Sequence, residues 1–72
     1  MEQYIKFYFE NGDIESGTAI FPQNDNELLV IKDNKPLENR LRNLNKETYM
    51  QVTEGVGHWF ETEELMEAHI KV

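Results

Sequence analysis

Residues 4–9 alternate, with Ile5, Phe7 and Phe9 on one side and Tyr4, Lys6 and Tyr8 on the other, and the run leads straight into Asn11-Gly12. A period of two is that of a half-buried strand, and the aromatic and β-branched content agrees. Asn-Gly suits the positive φ angles of a two-residue type I′ turn, so the chain from Ile14 onward is expected to return antiparallel on the first strand. With a two-residue turn, Phe9 faces Ile14 and Ile5 faces Thr18. The return strand then carries a conflict, because Ile14 and Ile20 share one face while Ala19 and Phe21 share the other. A bulge near Gly17 is the expected remedy, and Pro22 ends the strand.

Residues 22–26 are turn-formers, and residues 27–32 read as a short third strand whose apolar side chains point both ways, the pattern of a central strand. Asp33, Asn34 and Pro36 break it. Leu37, Leu41 and Leu44 follow at helical spacing, predicting a helix over 37–44 that Asn39, Asn43 and Asn45 weaken. Residues 48–53 alternate again and predict a fourth strand, stopped by Gly55 and Gly57. Thr62 is a good N-cap, Glu63 and Glu64 suit a first helical turn, and Leu65, Met66, His69 and Ile70 line one helical face. The expectation is a single compact α+β domain spanning residues 1–72. It has an antiparallel sheet of about four strands opening with a hairpin, a weak middle helix, and a C-terminal helix packed on one face.

At 72 residues and without cysteine, the chain has neither disulfide staple nor thiolate metal site. An ordinary apolar core must hold it. Hydrophobic residues make up 39% and eight are aromatic, too many for a disordered tail. The longest apolar run, residues 28–31, is far short of the roughly 20 residues that span a bilayer. Met1 leads into an amphipathic segment rather than a secretory signal, so a cytoplasmic location, in a bacterium or an infected host cell, is expected.

Fourteen acids outnumber seven bases, for a net charge of −7, and the bases gather in the middle. Lys32, Lys35, Arg40, Arg42 and Lys46 face only Asp33 and Glu38 there, while both flanks are strongly negative. Such a field repels nucleic acid and acidic membranes and attracts basic protein surfaces. The basic segment has no stacking aromatic and reads as a solvated face balanced by the rest of the molecule, or as a surface for a second copy.

Candidate sites for chemistry are sparse. Asn11, Asp13 and Glu15 resemble the start of a calcium loop, but the required glycine and twelfth-position acid are Ser16 and Pro22, so an outward polar face of the hairpin explains them better. His58 and His69 lack the convergent partners of a zinc site, and His69 reads as an imidazole near a helix C-terminus. Ser16, the only serine, has no histidine near it in sequence. Glu63 and Glu64 are adjacent helix positions that point apart, and no glycine-rich phosphate loop is present. No catalytic residue, metal or cofactor is expected.

Trp59 and Phe60 cannot easily both face inward. One reading makes one of them a hydrophobic staple against Leu65 or Met66. The other makes Trp59 a binding anchor beside an acidic rim. The function expected from these features is a non-enzymatic acidic binding protein that occupies the basic, nucleic-acid-binding surface of a partner protein. Glu54, Glu61, Glu63, Glu64 and Glu67 would supply charge and Trp59 the anchor. In size and charge the chain resembles the small acidic inhibitors of phages and mobile elements, such as anti-CRISPR, anti-restriction and uracil-glycosylase-inhibitor proteins. That likeness is one of composition, and no motif carries a functional residue across. Alternatives are a homo-oligomeric interaction module, including a homodimer, and a dimer that sequesters a nucleotide signal in a pocket lined by Tyr4, Tyr8, Arg40 and Arg42.

Overall fold

A computed structural model describes residues 2–53, 59–61 and 66–70. In the last two spans it describes the backbone and, of the side chains, that of Ile70. Seven elements run along the described residues: β1 (Glu2–Phe9), β2 (Ile14–Ile20), β3 (Val30–Ile31), α1 (Lys35–Arg42), α2 (Lys46–Thr53), β4 (Trp59–Glu61) and β5 (Met66–Ile70). The strands form one sheet in the order β3-β2-β1-β5-β4. β2 runs antiparallel to both β1 and β3, β5 lies parallel to β1, and β4 runs antiparallel to β5. Helices α1 and α2 cover one face, so the chain is an α+β domain that opens with a hairpin.

The hairpin forms as expected, with a turn one residue longer. Gly12 N–H donates to Phe9 C=O at 2.9 Å and Phe9 N–H donates to Asp13 C=O at 2.9 Å, leaving Glu10, Asn11 and Gly12 as a three-residue loop. Gly12 takes a φ of +97°, the left-handed conformation that closes such a loop. The extra residue sets Tyr8 opposite Ile14 and Ile5 opposite Gly17, and the ladder continues unbroken to Glu2 opposite Ile20. No bulge interrupts β2 at Gly17. The parity conflict disappears, because Ile14 and Ile20 lie on the sheet face away from the helices while Gly17 and Ala19 join Ile5, Phe7 and Phe9 beneath them.

Gly17 has a different role. A Cβ there would overlap Ile31 Cγ2 and lie 3.0 Å from Asp33 Oδ1, so its bare backbone admits the close crossing of the chain after β3. Asp33 Oδ1 accepts from Thr18 N–H at 2.8 Å, and Lys32 N–H donates to Thr18 C=O at 2.9 Å. Residues 27–32 do not form a central strand. Leu29 and Ile31 are buried while Leu28 and Val30 point away, and only Val30 and Ile31 pair, at the sheet edge. The outer side of that edge is closed by side chains of the helices. Leu29 N–H donates to Tyr49 Oη at 3.0 Å, Ile31 N–H to Glu38 Oε1 at 3.0 Å, and Arg42 Nε–H to Leu29 C=O at 3.0 Å.

Helix α1 begins where its signals stand: Asn34 Oδ1 accepts from Leu37 N–H at 3.1 Å and Pro36 occupies the first turn. Leu37 and Leu41 are fully buried and Leu44 packs beside them. Residues 46–53 are helix rather than the expected fourth strand. Asn45 Oδ1 accepts from Thr48 N–H at 2.9 Å, Glu47 sits in the first turn, and Thr48 and Val52, four apart, are buried. Capping and this buried stripe override the β-branched composition.

The expected C-terminal helix gives way to strand β5 over Met66–Ile70. Pairing sets Met66, Ala68 and Ile70 beside Ile5, Phe7 and Phe9, and Ile70 is buried. That placement lets β1 pair on both sides, which a terminal helix could not do. Among the described residues, the core is Ile5, Phe7, Phe9, Ala19, Leu29, Ile31, Leu37, Leu41, Val52 and Ile70.

Candidate functional site

The five cations of the middle segment do not form a free basic patch. Lys32 pairs with Glu2 at 2.8 Å, and Arg40 spans Asp13 at 2.8 Å and Glu15 at 2.9 Å while its guanidinium lies 3.6 Å over the Phe9 ring. Lys35 and Arg42 converge on Glu38, whose buried carboxylate also accepts the Ile31 N–H. Lys46 has no ion-pair partner among the described residues. The four paired cations meet four carboxylates, so this frame is neutral and the whole excess of seven negative charges belongs to the remaining groups.

Three carboxylates of this region, Glu38, Asp33 and Asp13, are held ionised by their partners. Glu38 lies below the usual carboxylate range because of the Lys35 ammonium and then the Ile31 N–H. Asp33 is lowered by the backbone N–H of Thr18, and Asp13 by the Asn11 side chain and then Arg40. The oxygens of Asp13 and Glu15 that suggested a calcium loop are therefore engaged by Arg40, with Asn11 Nδ2 also donating to Asp13 Oδ2 at 3.1 Å.

Of the expected partner-binding residues, Glu54, Glu63 and Glu64 lie outside the described residues, as do His58, Thr62 and Leu65. Trp59 and Glu61 fall on β4, the sheet edge opposite β3, and Glu67 on β5 just inside it. Trp59 pairs with Ala68, Phe60 with Glu67 and Glu61 with Met66, which joins these positions through a strand ladder instead of a helix N-terminus. The staple reading fails for Met66, which is a strand residue, and its Leu65 arm lies outside the described residues. His69 sits on β5 beside Tyr8, within a strand rather than in the last turn of a helix. The nucleotide pocket is not assembled within one chain. Tyr4 and Tyr8 lie on the open sheet face, whereas Arg40 and Arg42 are on the helical side.

Two further surfaces stand out, the first foreshadowed by the Tyr4, Lys6 and Tyr8 side of β1 and the second without a reading in the sequence. One is the open sheet face, where Tyr4 is 49% and Ile14 55% exposed beside Lys6, Tyr8, Ser16, Thr18 and Ile20. The other is a cleft of about 670 Å³ between the 22–28 loop and α2, lined by residues that include Pro22, Asp25, Glu27, Leu28, Lys46 and Met50. Its signal was Leu28, an apolar residue outside the parity of Leu29 and Ile31. No helix among the described residues is long and apolar enough to cross a membrane. Compared with known proteins, the chain matches no protein family, no curated protein and no solved structure.

Proposed function

We propose that the chain is a non-enzymatic, cytoplasmic acidic binding protein that occupies the basic, nucleic-acid-binding surface of a partner protein, as phage and mobile-element inhibitors of defence systems do. One observation carries this reading: four of the five central cations are spent on internal ion pairs, so nothing in that frame offsets the carboxylates outside it. Uncompensated carboxylates steer a protein toward cationic surfaces and away from phosphate. Glu54, Glu61, Glu63, Glu64 and Glu67 remain the proposed charge donors and Trp59 the anchor. The test is recovery of a partner from the native cell by the wild-type chain and by the Glu61→Gln, Glu63→Gln, Glu64→Gln triple variant, read by mass spectrometry at rising salt. Loss of a salt-sensitive partner supports charge mimicry, and equal recovery by both proteins refutes it.

The open sheet face favours a second reading, a homo-oligomer in which Tyr4 and Ile14 meet a second copy. Light scattering at two concentrations separates the two, since a concentration-independent monomer excludes self-association.

A further inference from the structure

We propose that the cleft between the 22–28 loop and α2 receives a short segment of the partner in which an aliphatic side chain is flanked by lysines or arginines. This assignment rests on the acidic-binder reading and locates a contact within it.

The cleft is built before any ligand arrives. Glu27 Oε1 accepts from Gln23 N–H at 2.9 Å, Asn24 Oδ1 from Asn26 N–H at 2.9 Å, and Asn24 C=O from Glu27 N–H at 3.2 Å. The loop is thus folded on itself. Its exit is fastened to α2 by the bond from Leu29 N–H to Tyr49 Oη. Walls already ordered spare a ligand the cost of ordering them.

Its floor is apolar and open. Leu28 is 56% and Met50 42% exposed, and both line the cleft with Pro22 and Tyr49. The fold does not need either of them, because the core takes Leu29 and Val52 instead. A leucine beside an unbranched, polarisable methionine accepts aliphatic side chains of varied shape. A volume of about 670 Å³ lies within the range of ligand sites.

Charge selects the flanks. Asp25 and Glu27 stand on the loop wall, and Glu27 uses only Oε1 in its bond to Gln23. Lys46 stands on the helix side, where its ammonium can donate to the carbonyls of an extended segment. With the remaining field of the molecule negative, a cationic segment is drawn in and an acidic one repelled. An aliphatic centre with a charged rim is also the anatomy of a protein contact.

The test titrates the 15N-labelled full chain with the capped peptide Lys-Arg-Leu-Lys-Arg and, separately, with Glu-Asp-Leu-Glu-Asp. The basic peptide is expected to shift the amides of Leu28, Met50 and Thr53, and the acidic peptide to leave them unmoved. Leu28→Ser with Met50→Ser, both at exposed positions the fold tolerates, is expected to weaken the basic peptide tenfold or more. Asp25→Asn with Glu27→Gln is expected to weaken it severalfold and to flatten its salt dependence. Equal response to both peptides, or wild-type affinity in the Leu28/Met50 variant, overturns the assignment. Basic-peptide shifts confined to β4 and β5 overturn it too, but leave the acidic-binder reading intact. A chain that binds neither the basic peptide nor any basic partner takes both down together.

Discussion

Replacing Gly17 by alanine tests the crossing on which the edge of the sheet depends. Gly17 is buried, opposite Ile5, and an added Cβ would overlap Ile31 Cγ2 and press on Asp33 Oδ1 at 3.0 Å. Ile31 cannot turn aside cheaply, since a β-branched side chain is stiff at χ1 and this one is packed in the core. Relief must come from backbone movement of β3 and the turn after it, loosening the Asp33 to Thr18 bond and the two β3 pairings. Overpacking of this kind costs about 1–3 kcal/mol, and alanine recovers about 0.5–1 kcal/mol of strand propensity, so a net loss of about 1–2 kcal/mol is expected. For a domain of this size that lowers the melting temperature by roughly 5–15 °C. Circular dichroism gives the melt, and amide exchange gives the location: Thr18 and Lys32 should exchange faster in Gly17→Ala. Gly12→Ala is the control, because nothing lies within 4 Å of a Cβ there and only its φ is strained. An unchanged melt with Thr18 still protected in Gly17→Ala would show that the crossing is looser than described.

Acid should destabilise the fold with a definite sign. Glu38, Asp33 and Asp13 all lie below their ordinary values of 4.5 for Glu and 3.8 for Asp, so their contribution is present above those values and is lost as the pH falls through the lowered ones. The melting temperature should hold between pH 7 and 5 and drop below about pH 4. Glu38→Gln should shallow that drop, and a parallel curve for the variant would contradict the linkage. Asn45→Ala removes the cap of α2 and should cost about 1 kcal/mol, read as a lower urea midpoint at unchanged slope. No change there would mean that the start of α2 does not depend on Asn45.

Legibility in the sequence was uneven for physical reasons. The Asn-Gly pair marked the hairpin because a positive φ is a local requirement, yet it left the loop one residue short and so misassigned Ile14. Asn34, Pro36 and the leucine spacing located α1 for the same local reason. In residues 48–53 the β-branched and aromatic side chains spoke louder than a lone asparagine cap. Residues 65–70 satisfied a helical period and a period of two alike, and the choice was made by β1, more than 50 positions away in sequence. Excess charge could be read directly, but the cancellation of its positive part needed Arg40 to be seen above Phe9, between Asp13 and Glu15.

The parallel partnership of β1 and β5 also dictates timing. A ribosome releases β1 well before β5, its second neighbour, so until residue 66 emerges the most aromatic segment of the nascent protein has one rim bare. Contacts so distant along the chain close slowly, and an unpaired rim of that composition invites stray strand addition. Translation pauses or a chaperone acting before residue 66 emerges would therefore govern how much product reaches the native state.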